Sequence, residues 1–455
     1  MSWFPKLSFI VVLAAQSVSP ETIKAASEQG GRILSIEDYG GKLSCILSHF
    51  QQYFPSISAI PLTISWYSWS PAVPDSDLYS GGESVWTFYE FEESGTSAGV
   101  VPAKSVPGSE LFLASAALNN TKAFNKAIED ALPGDTVLVP DERAYTFTGG
   151  ILAQEKHHIT IDIAGSAHFL HDLSIWPVSF YGANQMTKYY DYDPGLKLDN
   201  CTFLTITSSS ETRARAEVNY KKNIVDLVDS DTLRGGIVNG NGKGWWDDVI
   251  AGRIPGTIHD HRPPRLIFIT ESSDVHVEKL TLLNSPFWTL FVEAVRAEIN
   301  DINVLVDRKY QSELLATLIT TAETERKLDE EIGSAFPFPS IDDLPDWVGR
   351  RLRQPQDLNT DGIDLRGRDI WVHDCIIQNA DDSVAIKPLH TQPAGSTNLP
   401  NCTTNVTVEN MVLTGFGASI GSAGPMLEHN CVDGVIFRNI SMPGTGKGKK
   451  NIPPS

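Results

Sequence analysis

Val275-His276-Val277-Glu278-Lys279-Leu280-Thr281-Leu282 opens with two apolar residues two apart, crosses a polar pair and closes on a second apolar pair. Residues two apart share one face of a strand, so the stretch reads as a strand, a bend and a second strand. The pattern returns in Ile370-x-Val372-x-x-x-Ile376, Val406-x-Val408-x-x-x-Val412 and Val435-x-Phe437-x-x-Ile440. A unit this short cannot bury its inner face alone and needs stacked neighbours. Repetition from about residue 224 onward therefore predicts an all-β chain wound as a parallel β-helix. A β-sandwich is the alternative, but hairpin turns of the Asn-Gly type are sparse in this region.

Upstream, Phe124, Ile128 and Leu132 recur at four-residue spacing before Pro133-Gly134, which predicts a helix over Lys122 to Leu132. A strand follows over Thr136 to Val139. Such a helix would cover the exposed edge of the first coil. Residues 20 to 75 show no repeat and read as an extension. The alternation in Ser84 to Glu90 predicts a small β element within 76–115. Leu314, Leu315, Leu318, Leu328 and Ile332 among many charges predict an amphipathic helix over Gln311 to Ile332. A loop with Pro337, Pro339 and Pro345 and a short helical piece around Trp347 to Leu352 complete an insertion over 308–357. It ends just before Asn359, where it can overhang a groove or block one end of it. The expected organisation is a leader over 1–20, an extension over 21–115 and a β-helix unit over 116–455.

Lys and Arg total 36 against 56 Asp and Glu, a net charge of −20, which argues against a nucleic-acid partner. The apolar run Leu7 to Ala15 after Lys6 reads as a secretory leader, too short to span a bilayer. Sequons beginning at Asn119, Asn200, Asn401, Asn405 and Asn439 agree with a secreted, extracellular chain. The five cysteines have no metal-site spacing. Cys402 with Cys431 is a candidate disulfide in an oxidising compartment. No cofactor, metal or membrane partner is expected, and the chain is expected to be a monomer.

Three clusters stand near the C-terminal end in a fixed order: Asn359-Thr360-Asp361-Gly362, Ala380-Asp381-Asp382-Ser383 and Gly415-Phe416-Gly417-Ala418-Ser419-Ile420-Gly421-Ser422. In this order they resemble the polygalacturonase family of glycoside hydrolases, right-handed parallel β-helices that cleave pectin. The resemblance covers about residues 115 to 448 and is most specific between Asn359 and Gly424. It implies Asp381 as general acid, with Asp361 and Asp382 holding the water that attacks. It implies substrate contacts for Asn359, Lys387 and Lys449, and polygalacturonan or rhamnogalacturonan as the polysaccharide partner. Two positions depart from the family pattern. Phe416 stands where the family has a histidine, and Lys447-Gly448-Lys449-Lys450 stands where it has Arg-x-Lys and further coils.

Hydrolysis with inversion needs one protonated carboxyl for the leaving oxygen and one ionised carboxylate for water. Asp361 and Asp381 are 20 residues apart, close to one coil, so stacking can turn them to a common groove. Asp381 and Asp382 are neighbours and need a turn to face the same way. Their repulsion would then raise one carboxyl's proton affinity. Arg366, Arg368 and Lys387 are the candidate local cations against an acidic chain, and His373, His390 and His429 are candidate stand-ins for the family histidine. The alternatives are a β-helix, impaired or truncated, that binds acidic polysaccharide without cutting it, and a lyase of related fold.

Overall fold

A computed structural model gives the fold, and the structure describes residues 31–41, 109–141, 143–181, 189–219, 224–227, 235–251, 253–254, 263–317, 358–388, 402–421 and 431–443. Among the described residues, nineteen strands join in one sheet whose pairings are all parallel, and two antiparallel strand pairs, Val178–Tyr181 with Tyr189–Tyr192 and Ala216–Asn219 with Ile224–Leu227, stand outside it. The chain coils through three stacks in turn. Ile267 pairs with Leu290, Leu290 with Ile363 and Ile363 with Val384 in the first stack. Val277 pairs with Ile299, Ile299 with Val372, Val372 with Val408 and Val408 with Phe437 in the second. Leu282, Val304 and Ile377 follow one another in the third. The parallel β-helix expected from the repeats is present.

The apolar pairs that revealed the repeat form the core. Val277, Ile299, Val372 and Val408 are fully buried and stacked one above another, and each such side chain contributes roughly 1.5–3 kcal/mol by leaving water. Between the first and second stacks the chain bends at Asp274, Arg296, Asp369, Asn405 and Gly434, all with φ between 54 and 64°. Left-handed backbone costs a non-glycine residue about 1–2 kcal/mol, and side-chain contacts along the column offset it. Arg296 donates to both carboxylate oxygens of Asp274 at 2.6 Å, and Asn405 donates to Asp369 at 2.7 Å.

The coil begins earlier than the repeat suggests. Thr136–Val139, His157–Ile163 and Thr202–Thr207 are rungs of the second stack, and Ile33–Ser35, inside the stretch that shows no repeat, pairs with Thr136–Leu138 as the first of them. The helix runs over Ser109–Asp130, starting well ahead of Lys122, because Ala116 and Ala117 continue its buried face toward the N-terminus. It covers the first coil: Phe124 packs on Phe147 with ring centroids 5.6 Å apart, and Asn120 and Asn125 bond the backbone of Thr146 and Gly150. The β element expected within 76–115 falls on residues outside the described ones up to 108, and 109–115 belong to this helix.

A second helix, Gly242–Ile250, has no counterpart in the sequence reading. It is anchored by Trp245 and Trp246, both fully buried, and Trp246 donates from Nε1 to the Pro286 carbonyl at 3.2 Å. Of the helix expected over Gln311 to Ile332, residues 308–317 are helical, with Leu315 buried, and 318–357 lie outside the described residues. No described helix is long and apolar enough to cross a membrane.

Coil stacking places its own demand on Gly367, which sits at φ +121° where a Cβ would stand 1.8 Å from the Ala294 carbonyl oxygen. Gly367→Ala is expected to destabilise the chain by roughly 3 kcal/mol through clash and strain together, read as a lower urea midpoint at unchanged slope.

Candidate active site

The turns from the third stack into the first lie one above another. Thr289 donates its N–H to the Asp361 carbonyl, Gly362 to Asp382, and Ser383 to Gly417, each at 2.9 Å. Stacking therefore brings the three sequence clusters to one edge. Asp361 and Asp382 come from successive coils, as their spacing suggests. The Asp381-Asp382 turn is fixed by the Asp382 N–H donating to Asp381 Oδ1 at 2.9 Å.

Asn379 is the buried clamp of this edge. Its amide donates to the Thr360 carbonyl at 2.9 Å and to the Asp382 carbonyl at 2.8 Å, and its Oδ1 accepts from Ser383 Oγ at 2.8 Å. One side chain thus ties the Asp361 turn to the Asp382 turn. From the coil above, Phe416 donates its backbone N–H to the Asp381 carbonyl at 2.9 Å, and Ser419 Oγ donates to Asp382 Oδ1. Gly415 lies at φ +53° with the Asp381 carbonyl 2.1 Å from where a Cβ would stand, so only glycine lets this loop close on the acid pair.

Lys387, five residues past Asp382 and immediately after the strand Val384–Ile386, points into the cluster. Its Nζ lies 2.7 Å from Asp364 and 3.3 Å from Asp361, and 4.1 Å from the centre of the Trp288 ring. Asp361 is 5% exposed and Asp364 1%. Burial is the largest influence on Asp361 and, with the neighbouring Asp364, holds its carboxyl well above the usual range against the pull of Lys387. Burial also raises Asp364, with Lys387 opposing. Asp381 is pushed up to about 7, first by burial and then by the charge of Asp382. The charge of Asp364 and then Asp361 outweighs burial at Lys387 and keeps it a cation.

Outward positions of the first stack continue the site toward the N-terminal coils. Phe268, Phe291 and Asp364 are register partners on successive rungs, and the Phe268 and Phe291 rings stack at 4.6 Å. Arg366 lies over Phe291 at 5.1 Å and 3.8 Å from Glu293, while Arg265 lies over both Phe268 and Trp288. The edge therefore combines four carboxylates, one embedded lysine and an aromatic floor with two guanidinium groups. Such an arrangement can hold a carboxyl protonated near neutral pH beside others that ionise.

Of the expected residues, Asn359, Asp361, Asp381, Asp382 and Lys387 lie on this edge, and Lys449 lies outside the described residues. Arg366 joins the edge, whereas Arg368 pairs with Asp369 at 3.6 Å on the bend toward the second stack. His373 does not replace the missing histidine. It lies on the outer face of the second stack, 3.2 Å from Glu298 and 2.6 Å from Asp374. His390 and His429 lie outside the described residues. Asp364, Asn379, Ser419, Trp288 and Gln311, which donates to Thr360 Oγ1 at 3.3 Å, were not singled out. Asp364 alone had a signal, since it lies three residues after Asp361 on the outward face of a strand. Cys402 and Cys431 form a disulfide across register partners just ahead of the Asn405 and Gly434 bends, and Cys201 and Cys375 are buried thiols.

The family model described as glycosyl hydrolases family 28 matches residues 193–450. A probable exopolygalacturonase B of Neosartorya fischeri is 25% identical over 343 residues, covering 69% of this chain and 63% of that protein. A polygalacturonase of Chamaecyparis obtusa is 26% identical over 205 residues, covering 44% of this chain and 28% of its own. The chain thus spans less than two thirds of the length of these curated relatives. Among solved structures, a hyperthermoactive exopolygalacturonase from Thermotoga maritima aligns at TM-score 0.42 and 17% identity over 71% of this chain and 64% of that one. An endo-xylogalacturonan hydrolase from Aspergillus tubingensis aligns at 0.42 and 14%, over 72% and 71%. With more than half of its length matched by the family model, and with the acidic clusters inside the matched span, the chain belongs to glycosyl hydrolases family 28.

Proposed function

We propose that this protein is a secreted glycoside hydrolase that cleaves the backbone of pectin, polygalacturonan or rhamnogalacturonan, with inversion. The observation that carries the reading is the Asp381 carboxyl, pushed up to about 7 beside Asp382 in a half-buried turn closed by the Phe416 N–H. A carboxyl of that kind is still protonated at mildly acidic pH and can donate to the leaving glycosidic oxygen. Asp382, oriented by Ser419, and Asp361, held by Lys387, are the partners assigned to the attacking water. Asn359, Lys387 and Lys449 are the assigned substrate contacts, and the β-helix over 116–455 is the catalytic unit.

Two measurements test the reading. Release of reducing ends from polygalacturonic acid or rhamnogalacturonan, followed with ultraviolet-absorbing unsaturated products, separates a hydrolase from a lyase, and the initial anomer of the product reports inversion. The activity is also expected to fall as pH rises through about 7, because a raised carboxyl loses its proton there. A flat profile from pH 5 to 9 would remove Asp381 from the role of acid.

Phe416 favours a second reading, a β-helix that binds acidic polysaccharide without cleaving it. Its backbone N–H holds the Asp381 carbonyl, but its side chain offers no proton or charge to the acid pair. Binding of polygalacturonic acid by a folded chain that releases no reducing ends would establish that reading.

A further inference from the structure

The outer face of the second stack carries a groove that the proposed hydrolysis does not use. Trp371 is 42% exposed on the strand Ile363–His373, and its ring lies stacked on His373 with centroids 3.8 Å apart. A groove of about 360 Å³ borders the ring, walled by Asp369, Asn405, Thr407, Glu409 and Arg438, with His373 not among its walls. The groove therefore opens toward the face of Trp371 away from His373. The indole Nε1 donates to Glu409 at 2.8 Å, and Glu409 pairs with Arg438. The ring is thus held in a fixed orientation with one face available.

Asn405-Val406-Thr407 is one of the five sequons, and it starts at this groove. Asn405 is exposed, lies in the left-handed bend at φ 55° and donates from Nδ2 to Asp369 Oδ1 at 2.7 Å. Thr407, the sequon hydroxyl, is the register partner of Trp371 on the neighbouring rung. A sugar attached to Asn405 Nδ2 starts at the groove wall, one rung from the indole. Asp369 and Glu409 outnumber Arg438 around the groove, which disfavours a uronate and suits a neutral, hydroxyl-rich ring. Sugar C–H groups meeting the face of an indole bury apolar surface at a polar rim, as aromatic side chains do at wet interfaces.

We propose that Asn405 is an N-glycosylation site and that the first sugars of its glycan dock in the groove against Trp371. The donor is a lipid-pyrophosphate-linked oligosaccharide. The amide nitrogen gives up one proton and bonds to sugar C1 while the C1–O bond to the phosphate breaks. The lipid pyrophosphate leaves with the electron pair, and the proton passes to solvent. The nitrogen keeps its second hydrogen, so a donor remains for Asp369.

The test uses the full chain secreted from a eukaryotic host, with peptide mass spectrometry at Asn405 and thermal melts of a four-membered cycle. Thr407→Val removes the sequon while keeping the side-chain shape, and Trp371→Ala removes the platform. The proposal expects a glycopeptide at Asn405, a melting temperature lowered by roughly 2 °C by Thr407→Val in the parent, and a shift below about 0.5 °C in the Trp371→Ala background. The same Thr407→Val change in chain made in bacteria, without glycan, is expected to shift nothing. An unmodified Asn405 in folded secreted protein overturns the proposal. So does an equal shift in both backgrounds, or the same shift without glycan, which would place the effect in Thr407 itself.

Discussion

Asp381→Asn is expected to lower kcat on polygalacturonic acid by roughly 10³-fold, the scale of a positioned general acid, while KM changes by less than about threefold. Asparagine keeps the shape of the side chain and its place in the turn closed by Gly415 and Phe416, but it has no proton to give. A loss confined to kcat is the signature of an interaction made only in the transition state. The same variant has a stability readout that separates environment from chemistry. A carboxyl whose folded value is raised contributes stability that is fully present below its ordinary value near 4 and lost as pH rises through about 7. Asparagine carries no such pH-dependent loss. Relative to the parent, Asp381→Asn is therefore expected to be more stable at pH 8 than at pH 5, by about 2–4 kcal/mol at most, since coupling to the other carboxylates shares the effect. Urea midpoints with parallel pH slopes for parent and variant would show that burial does not hold this proton.

The period of the coil was legible because burial on the inner face enforces it: Val275-x-Val277 and Ile370-x-Val372 occupy equivalent inward positions, which burial restricts to apolar side chains. The earlier rungs obey the same rule, but His157–Ile163 and Thr202–Thr207 are separated by turns and an antiparallel strand pair of unequal length, so the repeat loses its spacing although the register is kept. Ile33–Ser35 is too short to carry a period at all. At the candidate site, sequence order pointed to the aspartates, since Asp361 and the Asp381-Asp382 pair occupy the same turn on two successive coils. It could not locate Asn379 or Ser419. Their importance lies in bonds to backbone of a neighbouring coil and of the adjoining turn and to a side chain 37 residues away, and an isolated Asn or Ser in a turn has no distinguishing mark. The aromatic floor was hidden for a similar reason: Phe268, Trp288 and Phe291 belong to two different coils and meet only after stacking.

Lys387→Met is expected to destabilise the folded chain by about 3–5 kcal/mol near neutral pH, the scale for removing one partner of a buried ion pair. The lysine is the cation closest to two carboxylates that burial already disfavours, and Asp364, at 1% exposure, cannot turn to solvent for compensation. Methionine has the length to fill the space over Trp288 but no charge, so the loss is electrostatic and not a cavity. The sign with pH follows from the direction of the carboxyl shifts. Asp361 and Asp364 both sit above the ordinary value, and without the lysine their protonated forms are favoured further, so the penalty shrinks where protons are supplied. The difference between parent and Lys387→Met is therefore expected to narrow as pH falls from 7 to 4. Removing the stranded charge should recover much of the loss: the double variant Lys387→Met with Asp364→Asn is expected to melt above Lys387→Met alone, with a coupling of at least about 1 kcal/mol between the two positions. Additive effects would mean that the two side chains do not share a buried charge balance. Activity reports the other half of the arrangement, since a lysine that holds Asp361 in place for water must lower kcat when lost even at pH 4, where the fold is spared.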